Sequence, residues 1–244
     1  PPTAAPSDNV AITAGPNVTT STTPPLKIGA RYLSLPALSP TDRCDLNTVF
    51  TLNPTALPND DEWTIELWIY HEPSGSAPYP QYIFGDQTAG NFGCRMTQVG
   101  STYTLTLDAT GLTTTTIANI TPNAWHHVAF AYDVVSATQI EIQAYLNGTR
   151  VATVAQSTTV FSTTGTQSSG FGIGGRAGNN PFRGRIDDFR LWTHRRGLQQ
   201  IRAQKDYSLP LWPQFAPFGI PPGHADGPNP FVAPANVSLA PEVS

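Results

Sequence analysis

Between residues 125 and 192 the chain alternates apolar and polar residues with a period of two, and an Asn-Gly pair breaks the alternation at its centre. In WHHVAFAYD at 125–133, Val128, Phe130 and Tyr132 alternate with Ala129, Ala131 and Asp133. In EIQAYL, Ile142 and Ala144 alternate with Glu141, Gln143 and Tyr145. A period of two is the side-chain period of a strand. Asn147-Gly148 supplies the positive φ at two successive residues that a type I′ hairpin turn demands, so 139–146 and 149–155 pair antiparallel in one register. Upstream, WTIELWIY at 63–70 puts Trp63, Ile65, Leu67 and Ile69 on one face and Thr64, Glu66, Trp68 and Tyr70 on the other. Bulk on both faces marks a central strand.

The remaining chain repeats the theme. Segments at 81–85, 92–99, 102–108 and 112–120 form a meander with turns about every ten residues, the spacing of a β-sandwich. In PFRGRIDDFRLW at 181–192 the apolar parity changes between Ile186 and Phe189, so Asp187-Asp188 marks a bulge. Leu198 and Ile201 then fall at helical spacing and predict a short helix over 197–204.

These residues carry a family resemblance. Trp125-His126-His127-Val128-Ala129, Tyr145-Leu146-Asn147-Gly148, Ile173-Gly174 and the run from Phe182 to Trp192, with Trp63 to Ile69 upstream, resemble the laminin-G-like branch of the concanavalin A-like jelly rolls. The resemblance covers roughly residues 26–205 and implies an all-β, two-sheet antiparallel jelly-roll sandwich. Extended Pro-rich arms flank it at 1–25 and 206–244, which hold 15 of the 24 prolines. Proline fixes φ and removes a donor, so such arms are extended and excluded from central strands. The C-terminal arm also carries Trp212, Phe215, Phe218 and Phe231, apolar surface that a solvated linker has no reason to hold.

Composition narrows the partners. Only 12% of the 244 residues are charged and the formal net charge is −4, which disfavours nucleic acid and anionic membrane surfaces. No apolar run reaches the ~18 residues of a membrane span. The chain begins Pro1-Pro2 and its one methionine is Met96, which reads as a processed product. Cys44 and Cys94 are the two cysteines. In an oxidising compartment they most simply form one bridge, the alternative being two buried thiols. Asn17, Asn119, Asn147 and Asn236 open N-glycosylation sequons, with the sites near the termini the more accessible.

Candidate chemistry is sparse. A glycoside hydrolase needs two carboxylates across the scissile bond, whereas Glu62, Glu66 and Glu141 read as solvent-facing strand residues. His126 and His127 are adjacent on a strand and point to opposite faces, so they read as scaffold rather than as ligands of one metal. The resemblance makes calcium a conceivable ligand, with Asp108, Asp133 and Asp187 as candidates, but turn aspartates are common and no cofactor or metal is assigned. Arg183, Arg185, Arg190, Arg195, Arg196, Arg202 and Lys205 gather seven of the 13 cations in 183–205. They read either as an anionic-glycan site, as the family often has, or as a face neutralised locally. The sequence therefore predicts a non-catalytic structural subunit of an extracellular or surface assembly, a homo-oligomer or larger particle whose arms pack on neighbouring copies through Trp212, Phe215, Phe218 and Phe231. The alternative is a glycan-binding or adhesion module of the same fold.

Overall fold

The structure is a computed structural model that describes residues 12–28, 31–37, 39–46, 62–73, 78–86, 92–109, 113–136, 138–157, 171–176, 180–192 and 194–207. Its strands in chain order are β1 (Ile12–Ala14), β2 (Thr19–Ser21), β3 (Tyr32–Leu35), β4 (Cys44–Leu46), β5 (Trp63–His71), β6 (Gln81–Asp86) and β7 (Phe92–Val99). They continue with β8 (Thr102–Ala109), β9 (Thr115–Ile120), β10 (Trp125–Ser136), β11 (Gln139–Leu146), β12 (Thr149–Ser157), β13 (Phe171–Ile173) and β14 (Gly184–Trp192), and helix α1 spans Leu198–Gln204. Two seven-stranded sheets face each other. One has the order β1-β4-β13-β6-β7-β8-β9, the other β12-β11-β10-β5-β14-β3-β2, and every strand pairing is antiparallel. Among the described residues this is the predicted sandwich with one short helix.

The predicted details that depend on local geometry also stand. Asn147 and Gly148 take φ of 52° and 75°, β11 and β12 pair antiparallel through that turn with a register shift between Ala144 and Tyr145, and β5 is central between β10 and β14. The register of β14 against β5 shifts between Asp187 and Arg190, with Asp188 at a φ of 50°. The core lies between the sheets. Ile65, Leu67, Ile69, Val128, Phe130 and Ile186 face Leu46, Phe84, Cys94, Met96, Leu105 and Ile173, and Trp63 stacks on Tyr132 at 5.3 Å while its edge meets Phe92 at 5.4 Å. Gly184 is required where β14 crosses β5, because a Cβ there would lie 2.1 Å from the carbonyl oxygen of Tyr70.

Two expectations are corrected. Residues 12–21 are not an arm outside the sandwich: β1 adds an edge strand to one sheet and β2 to the other, with Val18 buried in the core between them. Proline-flanked segments of three residues fit a sheet edge, where only one side needs donors. The expected Cys44–Cys94 bridge does not form. Cys44 pairs with Ile173, Ile173 with Phe84 and Phe84 with Cys94, so the two thiols sit in one row three strands apart, about 14 Å at the usual strand spacing. A disulfide spans at most about 7 Å between Cα atoms. Both thiols are buried, and burial pushes that of Cys44 up to about 12. Trp212, Phe215, Phe218, Phe231 and Asn236 lie outside the described residues. Among the described residues no helix is long and apolar enough to cross a membrane.

Candidate functional site

The sheet containing β5 has an outer face, and its side chains follow from strand parity. Thr64, Glu66, Trp68 and Tyr70 of β5 point outward, in register with Ala131, Ala129, His127 and Trp125 of β10 and with Trp192, Arg190, Asp187 and Arg185 of β14. This face divides into two halves.

The first half is covered by α1. Ala129 and Ala131 are small enough for the helix to approach, and Leu198 and Ile201 pack on them and on Tyr145. Beside this contact lies a fully buried carboxylate, Glu66. Its Oε1 accepts from the Arg196 guanidinium and from Trp192 Nε1 at 2.7 Å, with Arg190 Nη1 at 3.6 Å, and its Oε2 lies 3.4 Å from His127 Nε2. Burial pushes the Glu66 carboxyl up, but His127, Arg196 and Arg190 together outweigh it and hold the group below the ordinary glutamate value. Arg190 also donates to Asp188, to the Gln204 carbonyl at 3.0 Å and to the Tyr207 carbonyl, and Arg196 donates to the Gln200 carbonyl at 3.0 Å. The network thus fastens 198–207 to the sheet. The expectation that Glu66 faces solvent is overturned, because α1, with Arg190 of β14 and Arg196 just before the helix, closes over the strand's second face.

The second half presents aromatic rings. Arg185 lies between Tyr32 and Tyr70, its guanidinium carbon 4.8 and 4.7 Å from the two ring centroids, and its Nε donates to Glu72 at 2.7 Å. Trp125 meets both tyrosines edge-on, at 6.0 and 5.4 Å. Tyr70, Trp125, Arg185 and Glu72 are each partly exposed, while Tyr32 is buried. Residues 22–28, in the connection from β2 to β3, cross this half. Trp125 Nε1 donates to the Pro25 carbonyl at 3.0 Å, Lys27 sits 3.8 Å above the Trp68 ring, and the Ile28 amide donates to Asp187 at 2.8 Å. Burial, with the nearby Asp188 charge, pushes the Asp187 carboxyl up to about 6.

The remaining candidates separate. Arg195 pairs with Asp133 at 2.7 Å, Arg183 donates to the Pro36 carbonyl, Arg202 to the Gly148 carbonyl, and Lys205 to Asp206. With Arg185, Arg190 and Arg196 already engaged, the seven cations are neutralised or capped locally and do not form one anionic-glycan patch. Glu62 accepts from the Arg195 amide at 3.2 Å and Glu141 from Gln143, so neither joins Glu66 across a cleft. His126 contacts the Thr121 carbonyl at 3.0 Å and His127 lies edge-on to Trp68 on the other face, as scaffold residues do. Asp108 sits on β8 of the opposite sheet, Asp133 and Asp187 have the separate partners given above, and among the described residues no group of three or more His, Cys, Asp or Glu is placed to hold a metal ion. Of the sequons, the Asn17 amide nitrogen donates to Asp42 at 3.0 Å and the Asn147 amide oxygen accepts from the His127 amide at 2.9 Å. Asn119 stands exposed at a φ of 61°.

Sequence reasoning missed Tyr32, Tyr70, Glu72 and Arg185 as a group. The outward parity of Tyr70 was visible, but the stacking of Arg185 depends on β3 lying beside β14, a pairing between segments about 150 residues apart.

Comparison with solved structures finds the same fold at low sequence identity. Domain 4 of AbnA, a GH43 extracellular arabinanase from Geobacillus stearothermophilus solved with arabinotriose, matches with a TM-score of 0.50 at 16% identity, over 79% of this chain and 86% of that one. The binding domain of Paraclostridial Mosquitocidal Protein 1 matches with a TM-score of 0.53 at 13% identity, over 80% of this chain. The binding domain of botulinum neurotoxin DC, solved with SialylT, matches at 0.54 and 11%, also over 80%. The chain spans 47% and 46% of those two toxin domains. A search of curated proteins finds no match. Residues 45–202, more than half of the chain, match the family model described as the concanavalin A-like lectin/glucanases superfamily, and the chain belongs to that superfamily.

Proposed function

We propose that the protein is a non-catalytic, extracellular or surface glycan-binding module that takes neutral sugars on the Trp125–Tyr70 face. The observation that carries this reading is the platform itself: partly exposed Trp125 and Tyr70 rings beside an Arg185–Glu72 pair already fixed by stacking. Aromatic faces pack on the C–H faces of sugar rings, and a held guanidinium-carboxylate pair offers donors and acceptors to hydroxyls at little cost in ordering. The local neutralisation of the cations favours neutral over sialylated or sulfated ligands. The ligands named for the neighbours are arabinotriose in the arabinanase domain and SialylT in the neurotoxin DC domain, so the choice rests on the cations of this chain. Catalysis is disfavoured because Glu66, the central carboxylate of the face, lies at 0% exposure beneath α1, and the nearby carboxylate of Asp188 is engaged by Arg190. The structural-subunit reading rests on Trp212, Phe215, Phe218 and Phe231, which lie outside the described residues, and is the weaker of the two.

The test is a glycan array followed by calorimetry on the full chain and on Trp125→Ala. Loss of one stacked aromatic corresponds to a weakening of about tenfold, or ~1.4 kcal/mol, for the neutral oligosaccharides bound by the wild type. Retention of full affinity by Trp125→Ala, or selective binding of anionic glycans, overturns the reading.

A further inference from the structure

The platform is covered by the protein's own chain, and the manner of covering carries an inference about how the site is used. Residues 22–28 run from edge strand β2 over β14 and β5, where they touch Arg185, Asp187 and Trp68, and meet the Trp125 ring, which reaches back from β10 to within 6.0 Å of the Tyr32 ring. A connection between two paired strands has no need to travel that far, since β2 and β3 already meet at Ser21 and Tyr32. What it does on arrival is occupy the polar valences a sugar would use. The Pro25 carbonyl takes the Trp125 indole proton, the Thr23 carbonyl lies 3.5 Å from Arg185 Nη1, and Lys27 caps the Trp68 ring.

The covering segment is weakly held. Thr22, Thr23, Pro24, Pro25 and Leu26 are exposed, Leu26 at 37%, so the segment buries little apolar surface of its own until Ile28. Its ion pair, Lys27 with Asp206 at 2.9 Å, is solvent-accessible on both sides. Exposed pairs of this kind stabilise little, and segments with few buried contacts open at a small fraction of the global unfolding free energy.

We propose that residues 22–27 are a displaceable strap that competes with glycan for the Trp125–Tyr70–Arg185 face, so that ligand binds only to the strap-open form. The inference rests on the glycan-binding reading and adds its regulation. In such a scheme the measured dissociation constant is the intrinsic one divided by the open fraction, and a strap open about a tenth of the time lowers affinity about tenfold. The exposed Leu26 and the two carbonyls released on opening remain tethered through Ser21 and Ile28, which makes closure intramolecular and fast to compete.

The experiment compares the full wild-type chain with a form in which residues 23–27 are replaced by Gly-Gly, and with Lys27→Ala as a milder variant that keeps the segment's length. Two readouts are taken. One is hydrogen exchange of the Trp125 indole N–H by NMR, identified by its loss in Trp125→Phe. The other is affinity for a neutral oligosaccharide panel that includes arabinotriose. The expected result is faster indole exchange in both variants, and binding about tenfold tighter for the shortened form, with Lys27→Ala shifted in the same direction by less. If the indole proton is exposed and the shortened form binds no better than wild type, the strap does not compete: the proposal falls while the glycan reading stands. If none of the three chains binds any member of the panel, the glycan reading itself falls and the competition with it.

Discussion

The two halves of the outer face solve the same problem with different materials. Under α1 the cover is fastened by groups that water does not reach, with Glu66, Arg190 and Arg196 each at 2% exposure or less. Under the 22–28 segment the cover is fastened by exposed carbonyls, by the accessible Lys27–Asp206 pair and, at its end, by the Ile28 amide on partly exposed Asp187. A charge network in low dielectric cannot be opened without stranding ions, whereas exposed contacts exchange readily for water. The first half is accordingly built as permanent structure and the second as a surface that can be uncovered. The same sheet, with continuous strands running through both halves, carries a fixed end and a usable end.

The sharpest way to break this contrast is to remove one carboxylate from each half. Glu66→Leu leaves Arg190 and Arg196 buried without their counter-charge, and the expected cost is about 3–5 kcal/mol in urea unfolding. Glu72→Leu removes the partner of Arg185 at the rim, where the glutamate side chain is 36% exposed, and the expected cost is below about 1 kcal/mol. Equal costs for the two variants erase the distinction between the halves.

A second measurement probes what lies beneath the usable half. On the inner side of β5, His71 is fully buried against Tyr103, Phe182 and Tyr79, and burial pulls its imidazole down to about 4. A histidine whose folded value lies below its unfolded value contributes stability that is present above about 6.5 and is lost as pH falls toward 4. Over that window the loss amounts to at most about 3 kcal/mol. His71→Phe keeps the ring contacts and removes the titration, so its unfolding free energy is expected to fall less steeply between pH 6.5 and 4.5 than that of the wild type. Parallel pH profiles exclude His71 as the source of acid sensitivity.

How far the sequence anticipated these features depends on whether they are local. The Asn147-Gly148 turn, the bulge at Asp188 and the short helix were legible because each is written within a few residues as a φ requirement or a periodicity. The burial of Glu66 was half legible: parity put it on the second bulky face of a central strand between Thr64 and Trp68, but parity names a face without naming its cover. The covers come from Arg190, Arg196 and residues 22–28, all distant in sequence. The cysteines failed for a related reason. Cys44 and Cys94 share a face and a row, yet a count of two cannot tell adjacent strands from strands three apart. The edge strands of 12–21 are three residues long, too short for alternation to register.

The finest test of the contrast is the pH dependence of local opening. Asp187 anchors the strap through the Ile28 amide, and its carboxyl is pushed up to about 6 by burial. The charged groups around it are Asp188 and Arg190 on β14, Lys27 on the strap, and Lys205 and Asp206 after α1, with His127 edge-on to the neighbouring Trp68. When the strap lifts, Asp187 regains water, which brings its value back toward the ordinary 3.8, and loses the Ile28 amide bond, which had held it down; burial is the larger of the two effects and sets the direction. The closed form therefore holds a proton more tightly than the open form, and closure gains stability below about 4 that is lost as pH rises through about 6. After correction for intrinsic exchange rates, amides in 22–28 are expected to be more protected at pH 5 than at pH 7.5. Those of 198–207 are expected to stay level, because Glu66 is held below the ordinary glutamate value and remains ionised across this range. Asp187→Asn abolishes the difference for the strap alone. A strap whose protection falls at pH 5 reverses the sign required by this linkage and removes Asp187 as its fastening.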